Sequence, residues 1–445
     1  MTKGGTPEQA LERHYRRLQW KFVVKESGRY EPLVVPNGNA SAPVHRWFHL
    51  KEAFSCDLLR QVVADTRLQN RSSIRVLDPF AGGGTTAVSL ANLTAQRTLS
   101  RVTFHGFECN PFIQLVAAAK LTAMQAPSKT FERLAQKVAA SAHCGTVKAP
   151  AAPELTTFHN KSYFDKKDLE LLLRLREAIY EEECGGANQT DVALARLCLA
   201  AAVEPVSALR RDGRALRHVP AKVRASPIRT FLAHAERVAM DMPVERVPVR
   251  GHVHLGDGRT MSGLSSQAKF DLVIFSPPYP NNIDYTEVYK MEAWLLGMFE
   301  NASTFKSQRL KTVHSHPSVR RNVENVELSQ LADVVAPVLD AVPDDRYTSQ
   351  RRAMIRGYAR DMAQTLESAW SRLRPGGDLV YVVGNSLHGN EAQAFVIAAD
   401  VIMAEMASRQ GFMIERIDIA RRLRRRHSES PFLRESVVFA KKPEH

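Results

Sequence analysis

The chain has 445 residues, 44% hydrophobic and 24% charged, the balance of an ordinary soluble globular protein with room for one large domain or two to three average ones. Its net charge of +14 and pI near 9.7 favour a polyanionic partner, nucleic acid before an anionic membrane surface. No apolar run reaches membrane-span length, the N-terminus has no signal-peptide core, and five scattered cysteines without a Cys-x-x-Cys pair argue against a zinc or disulfide framework, so a cytoplasmic, nucleoid-associated protein without metal is expected.

Residues 1–44 read as an N-terminal extension, helical and basic around His14 to Lys25 and then rich in turns. His45-Arg46-Trp47-Phe48 leads toward an expected helix from Cys56 to Asp65. Arg75 to Asp78 is a short strand, Pro79-Phe80-Ala81-Gly82-Gly83-Gly84 a turn, and Thr85 to Leu93 a helix. Strand, glycine-rich turn and helix make the first unit of a nucleotide-type βαβ fold, in which glycine lets the backbone approach a ligand. The next strand, Val102 to Glu108, ends in an acid that can accept from both hydroxyls of a ribose. Taken alone, Gly82-x-Gly84-x-x-Ala87 also satisfies the dinucleotide fingerprint.

Mainly helical patterns then interrupt the sheet (Pro111 to Thr122, Phe131 to Ala142, Lys167 to Glu182, Asp191 to Val203). The text from Leu209 to Arg229 is strongly basic, and Arg210, Arg211, Arg214 and Arg217 are candidate phosphate contacts. Strands resume at His252 to Asp257 and at Phe270 to Phe275, and the second stops at Ser276-Pro277-Pro278-Tyr279. Two prolines stiffen that corner and fix where its carbonyls point. A hydroxyl, a carbonyl and an aromatic face together suit a planar group bearing an amino nitrogen. A helix from Val288 to Met298 follows, then poorly periodic basic text over 299–350 and an amphipathic helix that stops at Arg374-Pro375-Gly376-Gly377. Strand Asp378 to Val383, helix Ala392 to Arg409 and strands Phe412 to Ala420 and Glu435 to Ala440 complete the pattern. Arg421, Arg422, Arg424 and Arg425, between the last two strands, are further candidate phosphate contacts.

Strands alternate with helices until the last two, so a doubly wound, mostly parallel sheet with a terminal antiparallel hairpin is expected. Ligands of such sheets bind at the carboxyl ends of the parallel strands, and Asp78, Glu108, Asp257 and Ser276 each lie at or just after such an end. The expected organisation is a catalytic domain in three parts, 45–124, 251–298 and 353–445. A helical basic insertion over 125–250, the candidate target-recognition region, and a second insertion over 299–352 separate them.

These residues resemble the S-adenosylmethionine-dependent amino-methyltransferases of DNA. Asp78 to Thr86 is similar to their cofactor loop and Ser276 to Tyr279 to their catalytic motif, and the two together displace the dinucleotide reading. The resemblance covers 45–115, 252–298 and 370–441. It implies a Rossmann-like class I methyltransferase fold with S-adenosylmethionine as cofactor. Asp78, Phe80, Gly82 and Gly84 would then meet its methionine part, Glu108 its ribose and Asp257 its adenine amino group, with Trp47 in a further cofactor-side motif. Ser276, Pro277, Pro278 and Tyr279 would hold a base flipped out of double-stranded DNA. Serine at the head of the motif points to cytosine N4, with adenine N6 as the alternative. No cysteine follows a proline, which argues against carbon-5 methylation. A restriction endonuclease or other defence-system protein is the candidate partner. Two rivals stand beside this reading: an RNA amino-methyltransferase, and a non-catalytic DNA-binding defence component.

Overall fold

The computed structural model describes residues 7–152, 162–212, 215–281, 283–318, 329–389, 393–424 and 428–444. Its strands are β1 (Val24–Glu26), β2 (Ile74–Asp78), β3 (Val102–Glu108), β4 (Leu209–Asp212), β5 (Ala215–His218) and β6 (Val249–Leu255), followed by β7 (Phe270–Phe275), β8 (Leu373–Gly384), β9 (Ser386–His388), β10 (Phe395–Ile397), β11 (Met413–Arg422) and β12 (Arg434–Lys441). Eight form one sheet in the order β1-β11-β12-β8-β7-β2-β3-β6. Every neighbouring pair is parallel except the two that involve β12, which is antiparallel to both β8 and β11. The expected Rossmann-like architecture, a mostly parallel sheet with a terminal antiparallel hairpin, is the one observed.

Central β7 shows why its sequence does not alternate: all six residues are buried because both faces of the sheet are covered. Leu272 and Ile274 face a core shared with helices Thr85–Ala95 and Pro111–Gln125, while Phe270, Val273 and Phe275 face one shared with helices Thr348–Arg372 and Ala399–Arg409. The helical insertion joins the first of these cores, with Phe131, Val138, Leu172 and Leu199 in the same buried cluster as Val76 and Phe104.

Several elements depart from expectation for local reasons. The basic stretch after Leu209 forms the β4–β5 hairpin and is followed by a helix, Pro227–Asp241. Short β1 adds to the sheet edge beside β11, a pairing that three residues of sequence do not announce. The Arg374 to Gly377 text follows directly on the long helix, which stops at Arg372, but it belongs to the next strand. It lies inside β8 as an irregularity, where the register with β7 jumps from Phe270↔Leu373 to Leu272↔Asp378. Val288 to Met298 is split between two short helices, Tyr285–Val288 and Lys290–Leu295, and the helix expected from Ala392 begins only at Ala399, after β10. The strand expected at His252 to Asp257 runs from Val249 to Leu255, which leaves Asp257 just beyond its carboxyl end.

The start of β12 is held by a buried polar knot. Asp400 is fully buried; its Oδ2 accepts from Arg434 Nε at 2.7 Å and Ser436 Oγ at 2.8 Å, and its Oδ1 accepts from Asn385 Nδ2 at 2.7 Å. Arg434 is itself buried, so losing the carboxylate would strand a charge away from water. Asp400→Ala is expected to cost about 3–5 kcal/mol in urea unfolding. A loss below about 1 kcal/mol, the range of an exposed ion pair, would show that the knot does not anchor the strand.

Candidate active site

A cavity of about 580 Å³ opens at the carboxyl edge of the parallel strands. It is lined by the glycine turn after β2, by Glu108 at the end of β3, by Asp257 after β6 and by Ser276 to Tyr279 after β7. Asp78 is buried at the end of β2; its Oδ1 accepts from the Phe80 amide at 2.9 Å and its Oδ2 from Thr86 Oγ1 at 2.6 Å, which ties both ends of the turn to one carboxylate. Phe80 lines the cavity and packs on Phe275, with ring centroids 5.7 Å apart. Gly82, at φ +50°, is part of the wall. Gly84 is not among the lining residues: at φ +83° it opens the following helix, and a Cβ there would come within 3.0 Å of the Ala117 backbone. Its glycine serves the turn and helix packing.

Glu108 lines the cavity, and its Oε1 accepts from the Asn110 amide at 2.8 Å. Burial lifts Asp78 to about 7 and Glu108 to about 6, against only partial relief from these donors. Asp257 is brought to the glycine turn by Gly258, where a Cβ would meet the Pro79 carbonyl oxygen at 1.8 Å. Its carboxylate is already clasped by Arg259, through Nε at 2.9 Å and Nη2 at 2.7 Å. Arg259 Nη1 reaches Asp361 at 3.0 Å. Burial alone would raise Asp361, but the His314 hydrogen bond and the Arg259 charge outweigh it and hold the group at about 2. Lys311, Val313 and His316, from the second insertion, line the cavity beyond this cluster.

Ser276, Pro277, Pro278 and Tyr279 all reach the cavity wall. Ser276 Oγ donates to Tyr279 Oη at 3.2 Å, Tyr279 Oη donates to Glu435 Oε1 at 2.8 Å, and Arg421 Nε donates to Glu435 Oε2 at 2.6 Å. The Tyr279 ring lies against Gly384, where a Cβ would be 2.7 Å from it, and Gly384 stands directly opposite Glu435 in the β8–β12 ladder. Burial first, and the Glu435 carboxylate second, push the phenol well above its ordinary range. The Pro280 carbonyl beyond the corner is pinned by Ser386 Oγ and His388 Nε2, each at 2.6 Å. On the far wall Tyr289 Oη donates to Glu52 Oε2 at 2.7 Å.

Other candidate residues fall elsewhere. Trp47 is buried outside the cavity lining, and its indole N–H is spent on Asp241 at 3.0 Å. Asp241 also accepts from Arg46, so this motif fastens the helical insertion and is not part of the cavity wall. Behind it, buried Lys120 donates to the carbonyls of His45, Phe48 and Gly83 at 3.2, 2.9 and 3.3 Å, and burial lowers its pKa to about 7. Arg211 is engaged inward, paired with Glu204 and fully buried Glu292, which removes it from the phosphate contacts. Arg210, Arg217, Arg422 and Arg424 are exposed, while Arg421 lines the cavity through its link to Glu435. Arg214 and Arg425 lie outside the described residues. Glu435, Gly384, Glu52 and Lys120 did not emerge from the sequence. Glu435 carried a usable signal, because the first residue of a strand returning antiparallel arrives at the edge where parallel strands end.

No protein-family model matches the chain. It is similar to the Type II methyltransferase M.AvaI of Nostoc sp., 24% identical over 457 residues that cover 92% of this chain and 88% of that protein. The Type II methyltransferase M.BsoBI of Geobacillus stearothermophilus is 22% identical over 90% of this chain and 85% of its own length. Among solved structures, TrmN from Thermus thermophilus and the rRNA methyltransferase aviRa from Streptomyces viridochromogenes each align at 11% identity and a TM-score of 0.26. Those alignments cover 87% and 92% of this chain, and 49% and 89% of theirs.

Gly384→Ala tests the seat of Tyr279. The added methyl overlaps the ring, so a loss of about 1–3 kcal/mol is expected in denaturant unfolding. An unchanged midpoint would mean that the ring does not rest there.

Proposed function

We propose that the chain is a site-specific DNA methyltransferase that transfers a methyl group from S-adenosylmethionine to an exocyclic amino nitrogen, cytosine N4 in the favoured reading. The observation that carries this is the direction of the Ser276 hydrogen bond. Its hydroxyl proton goes to Tyr279, so the oxygen meets the cavity as an acceptor, beside a prolyl carbonyl that can only accept. Two acceptors at one corner match the two N–H donors of an amino group. The similarity to Type II methyltransferases, over 90–92% of this chain, supports the same class, and a serine-headed corner favours cytosine over adenine.

When bound, S-adenosylmethionine supplies an electrophilic methyl on a sulfonium sulfur. The cavity's volume and its acidic strand ends fit that cofactor together with a planar base. Gly82 and the turn held by Asp78 would take the amino-acid part, Glu108 the ribose hydroxyls and Asp257, clasped by Arg259, the adenine side. An exocyclic amine is a weak nucleophile because its lone pair is delocalised into the ring. Accepting its protons at Ser276 Oγ and the Pro277 carbonyl localises that pair on nitrogen, and positioning supplies most of the rate. Tyr279 offers a ring face to a base taken out of the duplex. Arg210 and Arg217 on the β4–β5 hairpin and Arg422 and Arg424 after the cavity are the proposed phosphate contacts.

Expression in a methylation-free host followed by sequencing for modified bases tests the reading. N4-methylcytosine at a fixed motif is expected. N6-methyladenine would overturn the choice of base, and unmodified DNA would overturn the DNA substrate. Glu108 offers both oxygens purely as acceptors to the ribose hydroxyls only when it is ionised, yet its folded pKa is raised to about 6 and that of Asp78 to about 7. Cofactor affinity is therefore expected to be full near about pH 8 and to fall on acidification through this window, by up to about tenfold per pH unit for each carboxylate that must lose its proton. Calorimetric titration reads this directly, and an affinity that rises toward acid contradicts the assigned role.

A further inference from the structure

Methylating an amine leaves a nitrogen with one proton too many, and the corner contains a built path for it. Ser276 donates to Tyr279 at 3.2 Å and Tyr279 donates to Glu435 at 2.8 Å, so the hydrogen bonds run in one direction, from the cavity to a carboxylate. Glu435 is 4% exposed and is held on its other oxygen by Arg421. Its two sequence neighbours, Arg434 and Ser436, are tied to Asp400, which fixes the strand that carries it.

We infer that Ser276, Tyr279 and Glu435 form a proton relay that draws the surplus proton away from the methylated nitrogen, with Glu435 as its terminal acceptor. The inference rests on the amino-methylation proposed above. As the nitrogen gains its methyl, positive charge develops on it and its N–H becomes acidic. That N–H bond then breaks and the electron pair stays on nitrogen, which returns to neutral. The proton passes to Ser276 Oγ as the serine's own proton moves to Tyr279 Oη and the tyrosine's to Glu435 Oε1. Glu435 ends neutral and releases its proton once product leaves and solvent enters the cavity. The phenol is never required to ionise, which agrees with the buried setting of Tyr279.

The relay separates proton acceptance from simple support, because Glu435→Gln keeps an oxygen to receive the tyrosine hydroxyl but cannot take up a proton. Single-turnover methylation of duplex DNA is expected to slow about a hundredfold in Glu435→Gln, in the range of a lost acid–base group. Cofactor and DNA affinities, read by calorimetry, should stay within about threefold of wild type. Tyr279→Phe, which keeps the ring and removes the hydroxyl, should lose a similar factor, and the double variant should lose no more than either alone. Wild-type rates in Glu435→Gln and Tyr279→Phe would overturn the relay and leave Glu435 as a support for the ring. Additive losses in the double variant would also overturn it. A wild-type protein that leaves DNA unmodified in the same assay would instead overturn the functional reading beneath it.

Discussion

The candidate site depends on one strand running backwards. β12 lies between β8 and β11 and is antiparallel to both, so its first residues arrive at the edge where the parallel strands end. Were it parallel, Glu435 would sit at the opposite edge of the sheet, and the tyrosine of the proline corner would have no carboxylate to meet. The cost of burying that carboxylate is met by donors from two directions, Tyr279 and Arg421, while the Asp400 knot keeps the strand from shifting. Gly384 completes the arrangement, since any side chain opposite Glu435 on that face would occupy the space of the ring.

A second theme is the use of buried charge to hold backbone in place. Asp78 spans the glycine turn by accepting from both its ends, and Lys120 gathers three carbonyls from two segments behind that turn. Both groups sit in surroundings that disfavour their charged forms, and hydrogen bonds relieve only part of that cost. Hydrophobic residues would pack there at less cost. What they could not do is fix polar backbone at one position beside a cavity.

Much of this was legible in the residues. The alternation of strands and helices along the chain, the glycine turn and the acids at strand ends follow from local patterns, because hydrophobic periodicity and turn chemistry act over a few residues. Phe270 to Phe275 is legible to the residue, whereas β8 starts five residues before the expected Asp378 and parallel β1 is not legible at all. Roles that depend on what lies opposite were not legible. Trp47 and Arg211 look like ligand contacts in sequence, but Asp241 and Glu292, each more than 80 residues away along the chain, turn them inward. Gly384 and Glu435 matter only because a register brings them face to face. The β4–β5 hairpin is not legible because its arginine-rich text has no strand periodicity; it packs against both the preceding helix, Gln189–Val206, and the segment after the proline corner.

The proposed chemistry places the new methyl group on an amino nitrogen of a DNA base, at the proline corner. The most direct measurement is mass spectrometry of nucleosides released from duplex DNA after incubation with the purified protein and methyl-labelled S-adenosylmethionine. Label is expected in N4-methyldeoxycytidine, and is expected to disappear when Ser276 is replaced by alanine. Label on a ring carbon, or no labelled nucleoside at all, would contradict this chemistry.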